Sequence, residues 1–181
     1  MAGCGSGSDA DRYPAVTVVA ATGPHGFSCE QTFDLFEHAL ELFDDTGVFV
    51  VVDKKICRTN PFNITAETWE SAQGLWTVEY SRYPGKRIMV ITNPVVTASG
   101  HFGQFGMCST SGGVAVSTAM PIDEFGNDKY VSSLRLVIHE LAHLFGATHD
   151  FTSNNFMGNG GPGEFVGWSD QTLMELEKWK S

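Results

Sequence analysis

The chain has 181 residues, 42% of them hydrophobic, and a formal charge of −10, which suits one compact domain with a real core and not comfortably two. The acidic balance argues against nucleic-acid binding, which needs a basic face to displace counterions. No run of 18 apolar residues is present to cross a membrane, and there is no internal repeat or heptad pattern.

Residues 1–12 read as a flexible tail. The opening "MAGCGSGSDADRYPA" has neither a basic nor an apolar leader segment, so no signal peptide is read in this chain. Its "AGC" followed by a Gly/Ser/Asp tether echoes the end of a bacterial lipoprotein signal at Cys4, beside the plainer reading of a small-residue terminus. "AVTVVAA" (15–21) predicts a buried strand. "SCEQTFDLFEHALELFDDTG" (28–47) predicts a helix, with a Ser-x-x-Gln capping box, Phe33, Phe36, Leu40 and Phe43 at helical spacing, and a closing glycine. "VFVVVD" (48–53) is a second buried strand. "TAETWESAQGLWTVEY" (65–80) is expected to be helical in its first half, and "RIMVIT" (87–92) is a third strand. Asn63 begins a glycosylation sequon, meaningful only for a chain secreted from a eukaryotic cell.

This alternation predicts an α/β chain with a largely parallel sheet and crossover helices. "ASGHFGQFGMCSTSGG" reads as a glycine-rich connection, and "VAVSTA" (114–119) as a short strand. "DKYVSSLRLVIHELAHLF" (128–145), with Asp128 as N-cap, is apolar nearly all round and predicts a central buried helix. A Gly/Asn-rich loop (154–164) and a last helix from about Ser169 complete the chain. Of the four cysteines none forms a CxxC pair, which excludes a thiolate zinc site of the usual spacing; a Cys29–Cys57 bridge is open from sequence.

"HELAHLFGATHD" (139–150) holds three of the six histidines. Residues four apart share one helical face, so His139 and His143 present two imidazoles to one point, with Glu140 on the adjoining strip. Two such nitrogens suit Zn²⁺. On a continued helix His149 would lie about 240° round from His143, on the wrong face. The chain must therefore turn back, and Gly146 can take the left-handed conformation that such a turn needs. Three neutral histidines leave a zinc position free for water, the mark of a catalytic ion, with Glu140 placed as general base. A bare HExxH arises by chance; the added glycine and third histidine at fixed offsets make chance a poor account.

The segment matches the HExxHxxGxxHD signature and so resembles the metzincin clan of zinc endopeptidases. The resemblance implies a twisted mixed sheet with three parallel strands and an antiparallel edge strand, a backing helix, a central zinc-binding helix, and a small C-terminal subdomain with a Met-turn and a final helix. It divides the chain into a tail (1–12) and a single catalytic domain (13–181), with an upper part to residue 146 and a lower part over 147–181. Met157, eight residues past His149, is implied as the Met-turn methionine. Asp150 is the residue that the adamalysin or reprolysin family carries after the third histidine, and "FGMCSTSGGVAVST" and "EFVGWSDQTLMELEKW" resemble that family's edge-strand and closing segments. The family's cysteine before the closing helix is replaced here by Trp168, which leaves Cys108 without its usual partner. Archaemetzincins are similar too, but place structural-zinc cysteines where Asp150 and Asn155 stand.

What the resemblance implies for function is peptide-bond hydrolysis through a zinc-bound water activated by Glu140, with one catalytic Zn²⁺ per chain held by His139, His143 and His149. The alternative is a catalytically silent, zinc-stabilised binding or adhesion module of the same fold. Gly146, Asp150 and Met157 would support the site. Val114, Ala115, Val116 and Ser117 would pair with an extended substrate, and 158–165 would wall a specificity pocket. A peptide or protein substrate, no nucleic acid, no transmembrane segment, a monomer, and an extracellular or cell-surface location are the remaining expectations. A faint echo of a latency segment around Cys4 is noted, and His25, His38 and His101 read as surface or loop histidines.

Overall fold

Strand β1 (Ala15–Thr22) is buried along its whole length except its ends, and it is an interior strand of the sheet, paired on both sides. The computed structural model describes residues 13–62, 65–80, 86–109, 113–151, 154–158 and 167–180. The expected tail with Cys4, the sequon at Asn63 and nearly all of the expected pocket wall at 158–165 lie outside the described residues.

After β1 comes α1 (Cys29–Asp44), closed at its start by the full capping box. The Gln31 N–H donates to Ser28 Oγ at 3.2 Å, and the Ser28 N–H donates to Gln31 Oε1 at 3.0 Å. Such a cap contributes about 1 kcal/mol. Strand β2 (Val51–Thr59) begins later and runs further than 48–53, because its second half, "KKICRT", carries charges. Those charges belong to the sheet's outer edge, where Lys and Arg discourage pairing with another chain. Ahead of β3 (Arg87–Thr92), residues 66–80 are helical throughout, as a single 3₁₀ turn (Ala66–Thr68) followed by α2 (Trp69–Tyr80). β4 (Val95–Val96) and β5 (Phe102–Gly103) form a small hairpin.

β6 (Gly106–Ser109) and β7 (Val114–Thr118) complete a five-stranded sheet of order β2-β1-β3-β7-β6. The fold is mixed α/β with a mostly parallel sheet. Two details differ from expectation. Four strands are parallel rather than three, since β7 pairs parallel with β3. The antiparallel edge strand is β6, which lies inside the segment read as a glycine-rich connection. Val114, Ala115, Val116 and Ser117 therefore cannot offer a free edge to a substrate: β7 is paired on both sides and all five of its residues are buried. Strand addition requires unpaired N–H and C=O groups, and those belong to β6.

The alternation of side chains builds two cores. Val16, Val18, Met89, Ile91 and Ala115 face α1 and α3 (Tyr130–Leu144), while Val19, Ile88, Val90, Val114 and Val116 face Trp69, Trp76 and Tyr80 of α2. The chain ends in α4 (Asp170–Leu176), N-capped by Ser169, and a 3₁₀ turn, Glu177–Trp179. Trp168, in place of the cysteine that the resemblance implied, packs against Phe43 and Phe156 and donates from Nε1 to Leu42 O at 3.1 Å. Cys29 and Cys57 form a disulfide that ties the start of α1 to β2, and Cys108 is the free cysteine among the described residues.

At the carboxyl ends of β1 and β3, Gly23 and Gly26 close around Asn93. A Cβ at Gly23 would stand 2.3 Å from Asn93 Oδ1, and one at Gly26 would stand 2.9 Å from Asn93 Cα. Asn60 Nδ2 donates to Asn93 Oδ1 at 2.9 Å from the neighbouring strand end. This polar plug fills the point at which the strand order reverses.

Candidate metal centre

Helix α3 carries the first two histidines through the middle of the molecule. Leu134, Val137, Ile138, Leu141, Ala142 and Leu144 are buried around it, so its axis is held on several sides. Its start lies a residue or two later than expected. Asp128 is not the N-cap; Lys129 holds that position, while Asp128 Oδ1 accepts from the Tyr130 N–H at 2.8 Å. Tyr130 also meets His38, whose Nδ1 lies 3.1 Å from the tyrosine hydroxyl, so His38 is half-buried on α1 rather than a bare surface group. His25 and His101 are exposed in loops.

The helix stops in a Schellman arrangement. The Ala147 N–H donates to Ala142 O at 3.0 Å and the Gly146 N–H to His143 O at 2.9 Å. Gly146 has φ of 93°, a conformation that costs an L side chain about 1 kcal/mol or more. This turn sends Thr148 and His149 back along the face that carries His139 and His143.

The three Nε2 atoms then form a triangle. His139 and His143 are 3.0 Å apart, His139 and His149 3.1 Å, and His143 and His149 3.2 Å. His139 Nδ1–H donates to Phe156 O at 2.8 Å and His143 Nδ1–H to Ala147 O at 2.7 Å. Both rings are thereby locked with bare Nε2 lone pairs facing the centre. Burial, first of all, lowers the pKa of His139 to about 4 and lowers that of His143, which keeps both imidazoles neutral. The lone pairs of His139 and His143 Nε2 converge beside His149 Nε2, an arrangement that suits a cation at their centre. A tetrahedral zinc with nitrogens at about 2.05 Å needs them about 3.3 Å apart, close to what is found. The donor set fits Zn²⁺.

Glu140 lies beside this triangle with a relative exposure of 3%, and its Oε2 has no hydrogen-bond partner among the described residues. Burial pushes its carboxyl up to about 8. Its neighbour is the edge strand: a Cβ built on Gly106 would fall 2.2 Å from Glu140 Oε1 and 2.7 Å from its Cγ. The carboxyl group thus occupies the space that a side chain at 106 would fill. Cys108, next on that face, has its thiol pushed up to about 12 by burial and then by the Glu140 charge, so it stays protonated.

The turn 154–158 supports the site from below. Met157 is fully buried, and the Asp150 N–H donates to Met157 O at 3.1 Å. The Met157 N–H donates to Asn155 Oδ1 at 2.7 Å, and Asn155 Nδ2 to Asp150 O at 3.3 Å. Phe156 supplies the carbonyl that orients His139.

Val114–Ser117 lies one strand further in, behind β6. The outer groups of β6 follow from one pair of bonds. Phe105 O accepts from the Thr118 N–H at 2.8 Å and the Phe105 N–H donates to Thr118 Oγ1 at 2.6 Å. The backbone of Phe105 therefore faces β7, and by alternation the N–H and C=O of Gly106 and Cys108 face outward. No described strand covers them.

Several of these residues gave no sequence signal of their own. Gly106 was part of a glycine-rich run and its closeness to Glu140 is a long-range matter. Phe151, immediately after the motif, is 63% exposed and stacks on the His149 ring with centroids 5.3 Å apart. Glu175 and Gln171 on α4 hold Thr148, a contact that only the folded chain creates.

No protein-family model and no curated protein matches the chain. Solved structures do. A zinc-dependent peptidase from Methanocorpusculum labreanum superposes with a TM-score of 0.54 at 15% identity, over 89% of this chain and 99% of that one. Metalloproteinase-II from Bacteroides fragilis gives 0.57 at 15% identity over 91% of this chain, which spans about half of that protein (52%). Archaemetzincin from Methanopyrus kandleri gives 0.52 at 19% identity, over 93% and 87% of the two chains. At such identities the likeness is one of fold.

Proposed function

We propose that the chain is a zinc-dependent endopeptidase of metzincin type, acting on peptide or protein substrates. The observation that carries this reading is the convergence of three Nε2 atoms beside a buried, unpartnered carboxyl and an open strand edge. The fold shared with zinc-dependent peptidases, archaemetzincin among them, supports it.

In this reading His139, His143 and His149 hold one zinc ion. The ion supplies Lewis-acid polarisation of the scissile carbonyl and makes water nucleophilic near neutral pH. The chain's own residues do the rest. An extended substrate pairs antiparallel with β6 through the outward N–H and C=O groups of Gly106 and Cys108, which brings its backbone past Glu140. Glu140 Oε takes a proton from the attacking water and passes it to the departing amine. Glu140, pushed up by its burial, would more readily hold its proton-accepting form with zinc bound by the three histidines. Gly146 makes the turn that returns the third histidine. Met157, as a Met-turn methionine, and Asp150 hold the floor of the site through the turn at 154–158. The narrower adamalysin-like assignment rests on Asp150 after the third histidine and not on the fold. The Cys29–Cys57 disulfide supports work in an oxidising compartment, in line with an extracellular or cell-surface setting.

The test compares the chain with Glu140→Ala for zinc content and for cleavage of denatured casein. One zinc per chain in both, with hydrolysis reduced about 10²–10⁴-fold in the variant, is the expected result. One zinc in both and no hydrolysis by the parent would favour a silent zinc-stabilised module instead. Absence of zinc from the parent would sink the reading.

A further inference from the structure

The three candidate ligands are not held alike. His139 and His143 stand on a rigid helix and each donates Nδ1–H to a backbone carbonyl. His149 lies beyond the helix, is exposed, and makes no hydrogen bond through Nδ1 among the described residues. Its ring rests on Phe151. Something else must fix the backbone that carries it.

Just past His149 the Asp150 N–H is held by Met157 O at 3.1 Å; just before it the anchor is on α4, 26 residues further along the chain. Glu175 Oε2 accepts from the Thr148 N–H at 2.7 Å and Glu175 Oε1 accepts from the Thr148 hydroxyl at 2.6 Å. Gln171, one turn earlier on the same helix face, donates from Nε2 to Thr148 Oγ1 at 3.1 Å and to Glu175 Oε1 at 3.2 Å. The residue immediately before His149 is therefore gripped at both of its donors by one carboxylate, which is itself steadied by an amide. These bonds pull the Glu175 carboxyl below its ordinary range, against the effect of burial. Earlier in the loop three polar groups are engaged by α3: the N–H groups of Gly146 and Ala147 bond to its carbonyls, and Ala147 O accepts from His143. Ahead of His149 the loop has two anchors, one on the helix that bears the other ligands and one on α4.

We propose that Glu175 is the positioning residue for the third histidine, so that α4 is part of the metal site. This rests on the zinc-peptidase reading above for the identity of the ion. Groups that orient metal ligands commonly contribute 10- to 100-fold in metal affinity, and a ligand on a loop has more freedom to lose than one on a helix.

The experiment measures zinc affinity by competition with a chromophoric chelator, and the visible spectrum of the Co²⁺-substituted protein, for the parent, Glu175→Ala, Glu175→Gln and Thr148→Val. Glu175→Ala should bind zinc about 10- to 100-fold more weakly and alter the Co²⁺ bands, because the third ligand is no longer placed. Glu175→Gln keeps an oxygen for the Thr148 N–H and should recover most of the affinity. Thr148→Val loses the hydroxyl's bonds to Glu175 and Gln171, keeps the backbone bond to Glu175, and should fall between them. A merely structural role for Glu175 would lower the melting temperature and leave the Co²⁺ bands of the folded protein unchanged. Should Glu175→Ala not fold, Thr148→Val carries the test. Zinc affinities within twofold of the parent for Glu175→Ala or Thr148→Val would overturn the proposal while leaving the peptidase reading intact. Glutamine as weak as alanine would overturn it too, by assigning the effect to charge. A parent without zinc would overturn both.

Discussion

Gly106 and Glu140 meet side by side, and the fit depends on the absence of a side chain. A methyl group at 106 would stand within 2.2 Å of Glu140 Oε1, so the carboxyl would have to leave its seat. Gly106→Ala should retain zinc, since the three atoms nearest the added methyl group all belong to Glu140 and not to a histidine, yet lose most of its hydrolytic rate through kcat. Zinc analysis beside steady-state kinetics on a peptide checks this; an unchanged kcat would show that Glu140 does not need this seat. The same contact explains why residue-scale reading stopped short. The histidines declare themselves by spacing within twelve residues, whereas Gly106 and Glu140 are 34 positions apart and nothing in "FGMC" points at α3. His149 illustrates the point from the other side: its place in the motif was legible, but its support on Phe151 and, through Thr148, on Glu175 was not.

The two edges of the sheet are treated differently. β2 is studded with charge: Lys55 pairs with Glu37, Lys86 with Asp53 at 2.8 Å, and Arg58 with Glu79 at 2.8 Å. Such an edge resists added strands. β6 is short, uncharged and open, with Gly106 and Cys108 turned outward. Proline is tolerated where a strand's N–H faces away from its partner, so Cys108→Pro should preserve the ladder with β7 and remove one bond to substrate. A drop of about 3- to 10-fold in kcat/KM is expected, mainly through KM, from one hydrogen bond of about 0.5–1.5 kcal/mol. Equal kcat/KM in parent and variant would mean that substrates do not pair here. Elements with strong periodicity, β1, α1, β3 and α3, could be read from sequence because one face of each is continuously buried. β6 and the outer half of β2 could not: glycine, cysteine and lysine speak for loop until a neighbouring strand supplies the pairing. The same shortfall assigned the open edge to Val114–Ser117, whose unbroken apolar run in fact marks a strand covered on both sides.

Across the whole molecule the disulfide and the aromatic seams join elements distant in sequence. Cys29 and Cys57 enclose a loop of 28 residues, for which chain entropy gives about 3.5 kcal/mol of stabilisation. Reduction, or Cys29→Ser with Cys57→Ser, should lower the melting temperature by about 10 °C while sparing zinc binding, because the bridge joins α1 to β2 and neither element carries one of the three histidines. Calorimetry with and without reductant, on zinc-loaded protein, checks both parts. At the other end Trp179 donates from Nε1 to Phe145 O at 2.7 Å and shelters Arg87, whose guanidinium lies 4.2 Å from its ring centre. The last turn of the chain thereby closes the carboxyl end of α3.

The plug of Asn93 between Gly23 and Gly26 has a consequence for the kind of molecule this chain can serve. Open parallel sheets usually receive nucleotides and other compact ligands in the notch where strand order reverses, and here that notch is between β1 and β3. It is stoppered by an amide wedged against two glycines. With the customary berth closed, the proposed meeting place moves to the open rim of the sheet at β6, and a rim suits something linear rather than something round.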